Sequence, residues 1–138
     1  MILYLDTSSL VKLYVDEAHS GAVRRWADEA EILSTCRVAY PEMISALTRR
    51  FNRGDISKRD YKLLTGRLMT DWPDFAVMDF YELRAGRLAE RHGLRGFDAV
   101  HLSSAMLLVE KSGPLEIGFM SFDEALNRAA SSEGLKVL

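Results

Sequence analysis

Short apolar runs alternate along this chain with longer amphipathic stretches. Ile2 to Leu5 is an apolar run of strand length. Thr7, Ser8 and Ser9 follow with hydroxyls suited to capping, which predicts a helix through Leu10 to Val15. Val23, Trp26 and Ala27 recur at three- and four-residue spacing in a second predicted helix, Ser20 to Glu29. Ile32 to Ser34 reads as a second short strand. Pro41 suits the first turn of a helix whose apolar stripe continues through Met43, Ile44 and Leu47 to a stop at Gly54. The next helix starts at Ser57, carries Tyr61, Leu64 and Leu68, and reaches about Trp72, where Pro73 ends it. Phe75 to Met78 is a third strand, and Tyr81 to Arg91 a helix closed by Gly93. From about Phe97 to Glu110 runs a helix that is apolar on most sides, so burial is expected. Ile117 to Met120, Glu124 to Ala130 and Leu135 to Val137 complete the pattern as strand, helix and strand.

Strands that alternate with helices in this way predict a parallel sheet covered on both faces. The expected fold class is α/β, a three-layer α/β/α sandwich with about five short parallel strands. A chain of 138 residues has room for one domain, so residues 1–138 are expected to share one core. With 48% hydrophobic and 28% charged residues the composition is globular, not disordered. A single cysteine, Cys36, excludes an internal disulfide and a cysteine-based zinc cluster. No apolar stretch approaches the ~20 residues that span a bilayer. The opening MILYLDTSSL lacks the basic start of a secretory signal, so the expected address is the cytoplasm, away from membranes.

Charge modifies this picture. Eighteen Lys and Arg against twenty Asp and Glu give a net charge of −2, which argues against coating nucleic acid by bulk charge. The charges are segregated, however. Arg49, Arg50, Arg53, Lys58, Arg59, Lys62 and Arg67 form one basic run, and Arg84, Arg87, Arg91 and Arg95 a second. Each run is either a solvated helix face or part of a nucleic-acid footprint.

In a doubly wound sheet, ligands bind beyond the carboxyl ends of the strands near the topological switch point. Asp6 directly follows the first strand, and Glu42 lies in the first turn or so of the helix after the second. Asp98 opens the apolar helix, and Asp123 lies where the fourth strand gives way to the last helix. Each acid alone has a structural reading, because carboxylates stabilise helix N-termini. Ser121 and Glu124 even fit a capping box. Together the four acids would meet at one sheet edge, where burial without partners costs on the order of several kcal/mol. Either some are protonated or a cation sits among them. An all-oxygen donor set favours Mg²⁺ or Mn²⁺. Thr7, Ser8 and Ser121 would then orient bound waters. A hard divalent ion beside a basic surface suggests phosphodiester chemistry, with Arg49, Arg50 and Arg53 as candidate RNA-binding residues.

Four segments, ILYLDTSSLVKLY, YPEMISALTR, GFDAVHLSSA and FMSFDEAL, occur in that order. On them the chain resembles PIN-domain proteins, and most closely the VapC-type ribonuclease toxins of toxin–antitoxin pairs, over essentially its whole length. The resemblance implies a metal-dependent endoribonuclease selective for single strands. It implies Asp6 and Asp98 as principal metal ligands, Glu42 as a ligand directly or through water, and Asp123 as the holder of a metal-bound water or a second ion. Ser8 and Ser121 match hydroxyl-bearing positions of the family pattern. A homodimer and a cognate VapB-type antitoxin are implied as well. Trp26, Tyr40, Tyr61 and Trp72 either serve such interfaces or fill the core. His101, one helical turn past Asp98, is expected as a helix-face residue rather than a ligand, since a lone histidine has no partner spacing. Two other readings stay open. One is a catalytically silent PIN-like module that binds RNA or protein. The other is a haloacid-dehalogenase-like phosphatase, which would need a second aspartate where this chain has Ser8.

Overall fold

β1 (Ile2–Leu5) is buried along its whole length, and its alternating side chains divide the core in two. In the computed structural model, which describes residues 1–138, Ile2 and Tyr4 pack with Phe119, Leu88, Leu102 and Leu126 in one cluster. Leu3 and Leu5 pack on the opposite face with Leu10, Met43, Leu68 and Met120. The helices divide accordingly. α1 (Thr7–Tyr14), α2 (Ser20–Glu29), α3 (Ala39–Asn52) and α4 (Lys58–Asp71) cover the second face. α5 (Glu82–His92), α6 (Gly96–Ser112) and α7 (Glu124–Ser132) cover the first. Between them lies a five-stranded parallel sheet completed by β2 (Ile32–Cys36), β3 (Ala76–Met78), β4 (Ile117–Met120) and β5 (Lys136–Val137). Its order is β3-β2-β1-β4-β5. The expected three-layer sandwich is the observed one.

Several boundaries differ from the hydrophobic pattern for identifiable reasons. β2 continues past Ser34 to Cys36, because its buried hydroxyls find backbone acceptors on both neighbouring strands. Ser34 Oγ donates to the Ala76 carbonyl at 2.7 Å, and Thr35 Oγ1 to the Leu5 carbonyl at 2.7 Å. Cys36 is fully buried beside them. Pro73 does not end the chain's helical path; it sits inside a short 3₁₀ turn, Trp72–Asp74, that extends α4. α6 runs on to Ser112 and buries Leu102, Ala105 and Leu108, as its all-round apolarity requires. Gly93 closes α5 in the left-handed conformation at φ 64°. The large aromatics are half-buried: Tyr40 meets Trp72 edge-on at 5.0 Å, Tyr61 stacks on Phe51 at 5.1 Å, and Trp26 packs at the margin of the second cluster.

The caps also differ from the pattern. Asp6 caps α1, accepting from the Ser9 N–H at 2.9 Å, in place of the Thr7–Ser9 hydroxyls. Asp123 caps α7, accepting from the Leu126 N–H at 2.8 Å, in place of Ser121. Because β4 ends at Met120 and α7 begins at Glu124, the cap position falls after Ser121 and frees its hydroxyl.

With β1 central, β2 and β3 lie to one side and β4 and β5 to the other, so the switch point flanks the carboxyl end of β1. Asp6 and Asp123 are the N-caps of α1 and α7, and Glu42 and Asp98 lie in the first turns of α3 and α6. Four helix dipoles therefore direct their positive ends at four carboxylates.

Candidate active site

All four predicted acids line one cleft of about 280 Å³ at the switch point. Asp6 is the deepest, only 4% exposed. Its Oδ1 accepts from the Ser9 N–H, and its Oδ2 accepts from Ser121 Oγ at 2.7 Å. Ser8 Oγ lies 2.8 and 2.9 Å from the two oxygens. Both serines are themselves held. Ser8 Oγ accepts from the Phe122 N–H at 3.0 Å, and Ser121 Oγ from the Asp123 N–H at 3.0 Å. The serine pair thus fixes Asp6 and ties the start of α1 to the segment after β4.

Glu42 is held by different groups. Thr7 Oγ1 donates to its Oε1 at 2.7 Å, and His101 Nε2 lies 2.8 Å from the same oxygen. An ionised carboxylate only accepts, so Nε2 carries a proton, and the ring's Nδ1 lies 3.0 Å from Tyr4 Oη. His101 is 2% exposed. Burial pushes the Glu42 carboxyl upward, but the hydrogen bonds from His101 and Thr7 and the His101 charge outweigh it and hold Glu42 below the usual range. Tyr4 is pushed the other way: burial raises its hydroxyl well above the ordinary phenol value, so it remains a donor.

The remaining two acids share one cation. Arg95 Nε donates to Asp98 Oδ2 at 3.0 Å, and its second terminal nitrogen lies 3.3 Å from Asp123 Oδ2. The guanidinium is 80% exposed, so it closes the cleft from the solvent side. Asp98 and, less strongly, Asp123 raise its proton affinity further.

The pattern predicts His101 on a helix face and Arg95 in a basic run; the structure turns both into the cleft. Their spacing carries the signal. Arg95, Asp98 and His101 follow one another at three-residue intervals, which puts them on one side of α6.

The donors suit a hard cation in kind. Four carboxylates face one guanidinium, which bridges two of them where positive charge is demanded. No three His, Cys, Asp or Glu side chains stand together in chelating geometry, and each acid is engaged by protein partners. The three arginines read as RNA-binding differ. Arg50 pairs with Glu17 at 2.7 Å and Arg53 with Asp55 at 3.1 Å, whereas Arg49 forms no ion pair and stands in a hollow beside Glu42.

The PIN domain family model matches residues 3–131. The chain belongs to the PIN domain family. Among curated relatives, this PIN domain is 29% identical to Ribonuclease VapC45 of Mycobacterium tuberculosis, over 99% of this chain and 94% of that protein. It is 31% identical to Ribonuclease VapC46 of the same species, over 99% and 95%. The solved structure of VapBC-1 from nontypeable Haemophilus influenzae superposes with a TM-score of 0.66 at 14% identity, covering 100% of this chain and 97% of that one. That likeness extends the shared fold beyond the range of recognisable sequence. No helix of this PIN domain is long and apolar enough to cross a membrane.

Proposed function

We propose that this chain is a Mg²⁺- or Mn²⁺-dependent endoribonuclease, the toxin of a type II toxin–antitoxin pair, acting as one domain over residues 1–138. The observation that carries the reading is the meeting of Asp6, Glu42, Asp98 and Asp123 in a single cleft of a PIN domain. The curated relatives are named as VapC ribonucleases, which supports RNA as substrate. VapBC-1 is a structure of the paired kind, which supports a VapB-type antitoxin as partner. A homodimer in the cytoplasm accords with the same reading.

Asp6 and Asp98 would be the principal ligands, with Glu42 and Asp123 completing the site directly or through water. A divalent ion bound there would supply a water of lowered pKa and neutralise charge at the phosphate. Ser8 and Ser121 hold the Asp6 oxygens in place. Thr7 and His101 keep Glu42 ionised and oriented. Arg95 would neutralise Asp98 and Asp123 until the ion arrives. Arg49, Arg50 and Arg53 would contact the RNA backbone, Arg49 with its charge already free.

The test is cleavage of a single-stranded RNA with Mn²⁺, with Mg²⁺ and with EDTA. The wild type should cut only with a metal ion, and Asp98→Asn should lose at least about a hundredfold in rate. Asp98→Asn cutting at the wild-type rate would remove the site assignment. Turnover of a small phosphate monoester in place of RNA would favour the phosphatase reading.

A further inference from the structure

Two of the cleft acids are directly preceded by phenylalanine, Phe97 before Asp98 and Phe122 before Asp123. The two rings differ in what covers them. Phe122 stacks on His19 at 5.3 Å, and the Lys12 ammonium lies 4.8 Å from its centroid. Phe97 is 59% exposed and belongs to neither core cluster, and no aromatic ring or cation packs on it. An open aromatic ring on the first turn of α6 is held at a fixed distance from Asp98 by the helix itself.

Phe97 divides two hollows of about 540 and 550 Å³, and both include Glu42. The first also contains Arg49, whose guanidinium donates only to Ser45 Oγ at 2.7 Å and pairs with no acid. The second contains Arg95 and Asp98. Along this rim the uncovered ring therefore stands between the hollow of Arg49 and the hollow of Asp98 and Arg95, with Glu42 lining both. A single nucleic-acid strand repeats phosphate and sugar, and each sugar carries one base between successive phosphates. Cationic grooves with interleaved aromatic rings are how proteins hold such strands.

We propose that Phe97 is the stacking platform for the base next to the scissile phosphate, with Arg49 binding a phosphate further along the strand. This rests on the RNA-cleaving reading above. Stacking uses the face that all bases share, so the contact demands a base at that position without selecting which one.

The experiment uses a short single-stranded RNA and a set in which one abasic residue is moved along the strand. Cleavage with Mn²⁺ gives kcat and KM, and anisotropy of the labelled RNA without metal ion gives affinity. With the wild type, an abasic residue next to the cut should raise KM about tenfold. Phe97→Ala should raise KM for intact RNA by about the same factor, keep kcat within about twofold, and lose the abasic penalty at that position. Phe97→Trp should restore both, and Arg49→Gln should flatten the salt dependence while leaving the abasic pattern unchanged. A wild-type KM in Phe97→Ala, or an abasic penalty that persists there, overturns the proposal. A loss in Phe97→Ala that accompanies a change of mass in light scattering also overturns it, by assigning the ring to a protein contact. RNA binding that depends on Phe97 without any cleavage would sink the ribonuclease reading and overturn the placement beside a scissile phosphate, leaving Phe97 as an RNA-stacking residue alone. Neither binding nor cleavage by the wild type would remove both.

Discussion

Asp6 accepts from Ser8, Ser9 and Ser121 while capping α1. Charge repulsion alone would make its removal slightly stabilising. The observed bonds reverse the sign, because Asp6→Ala leaves a helix end, the buried Ser121 hydroxyl and the half-buried Ser8 hydroxyl short of an acceptor. The expected loss is about 1–3 kcal/mol, read as a lower urea midpoint. An Asp6→Ala protein as stable as the wild type would refute this account of the serine pair. Asp98→Ala should be close to neutral, since its partner Arg95 lies in solvent, where ion pairs contribute little. Arg95→Ala should tighten Mn²⁺ binding about two- to fivefold in calorimetry, because the guanidinium competes for Asp98 and Asp123. Unchanged affinity would mean that the arginine yields the site at no cost. The four acids were legible in the sequence because each follows a strand or opens a helix. His101 was not, since its partners Tyr4 and Glu42 lie 97 and 59 residues away and only the folded sheet brings them together.

Among the elements, α7 distinguishes pattern from structure most sharply. Ser121-Phe122-Asp123-Glu124 reads as a capping box, yet Ser121 is committed to Asp6, and Glu124 reaches only Arg128, at 3.7 Å. Glu124→Ala should therefore change stability by less than about 0.5 kcal/mol, while Asp123→Ala loses the true cap and about 1 kcal/mol. Equal effects in the two variants would restore the capping box. β2 shows the opposite error. Its last residues, Ser, Thr and Cys, carry no strong apolar signal, and neighbouring strands supply the carbonyls that make those hydroxyls fit. The burial of α6 was legible, though not its last turn to Ser112, because a helix apolar on most sides can be stable only when enclosed.

Across the whole molecule, the parallel sheet and its two helical layers were readable from alternation, whereas the ion pairs that link separate elements were not. Lys12 and Arg50 meet on Glu17, which ties α1 and α3 to the turn before α2. Burial raises the Glu17 carboxyl, but the hydrogen bonds and charges of Arg50 and Lys12 dominate and hold it below the usual value. A carboxylate depressed in the folded state stabilises above its unfolded pKa of about 4.3 and loses that contribution as pH falls through the folded value. The stability gap between wild type and Glu17→Gln should thus be widest at neutral pH and shrink on acidification, followed by urea melts at several pH values. A gap independent of pH would place the contribution elsewhere.

Cys36 is sealed between β1, β3 and the helices of the first core cluster, and burial keeps its thiol protonated. A maleimide dye therefore finds no native target on the folded chain. One cysteine introduced at exposed Ser45, in the hollow beside Phe97, would be labelled alone. Fluorescence from that single fluorophore could then report, in real time, when the hollow is filled.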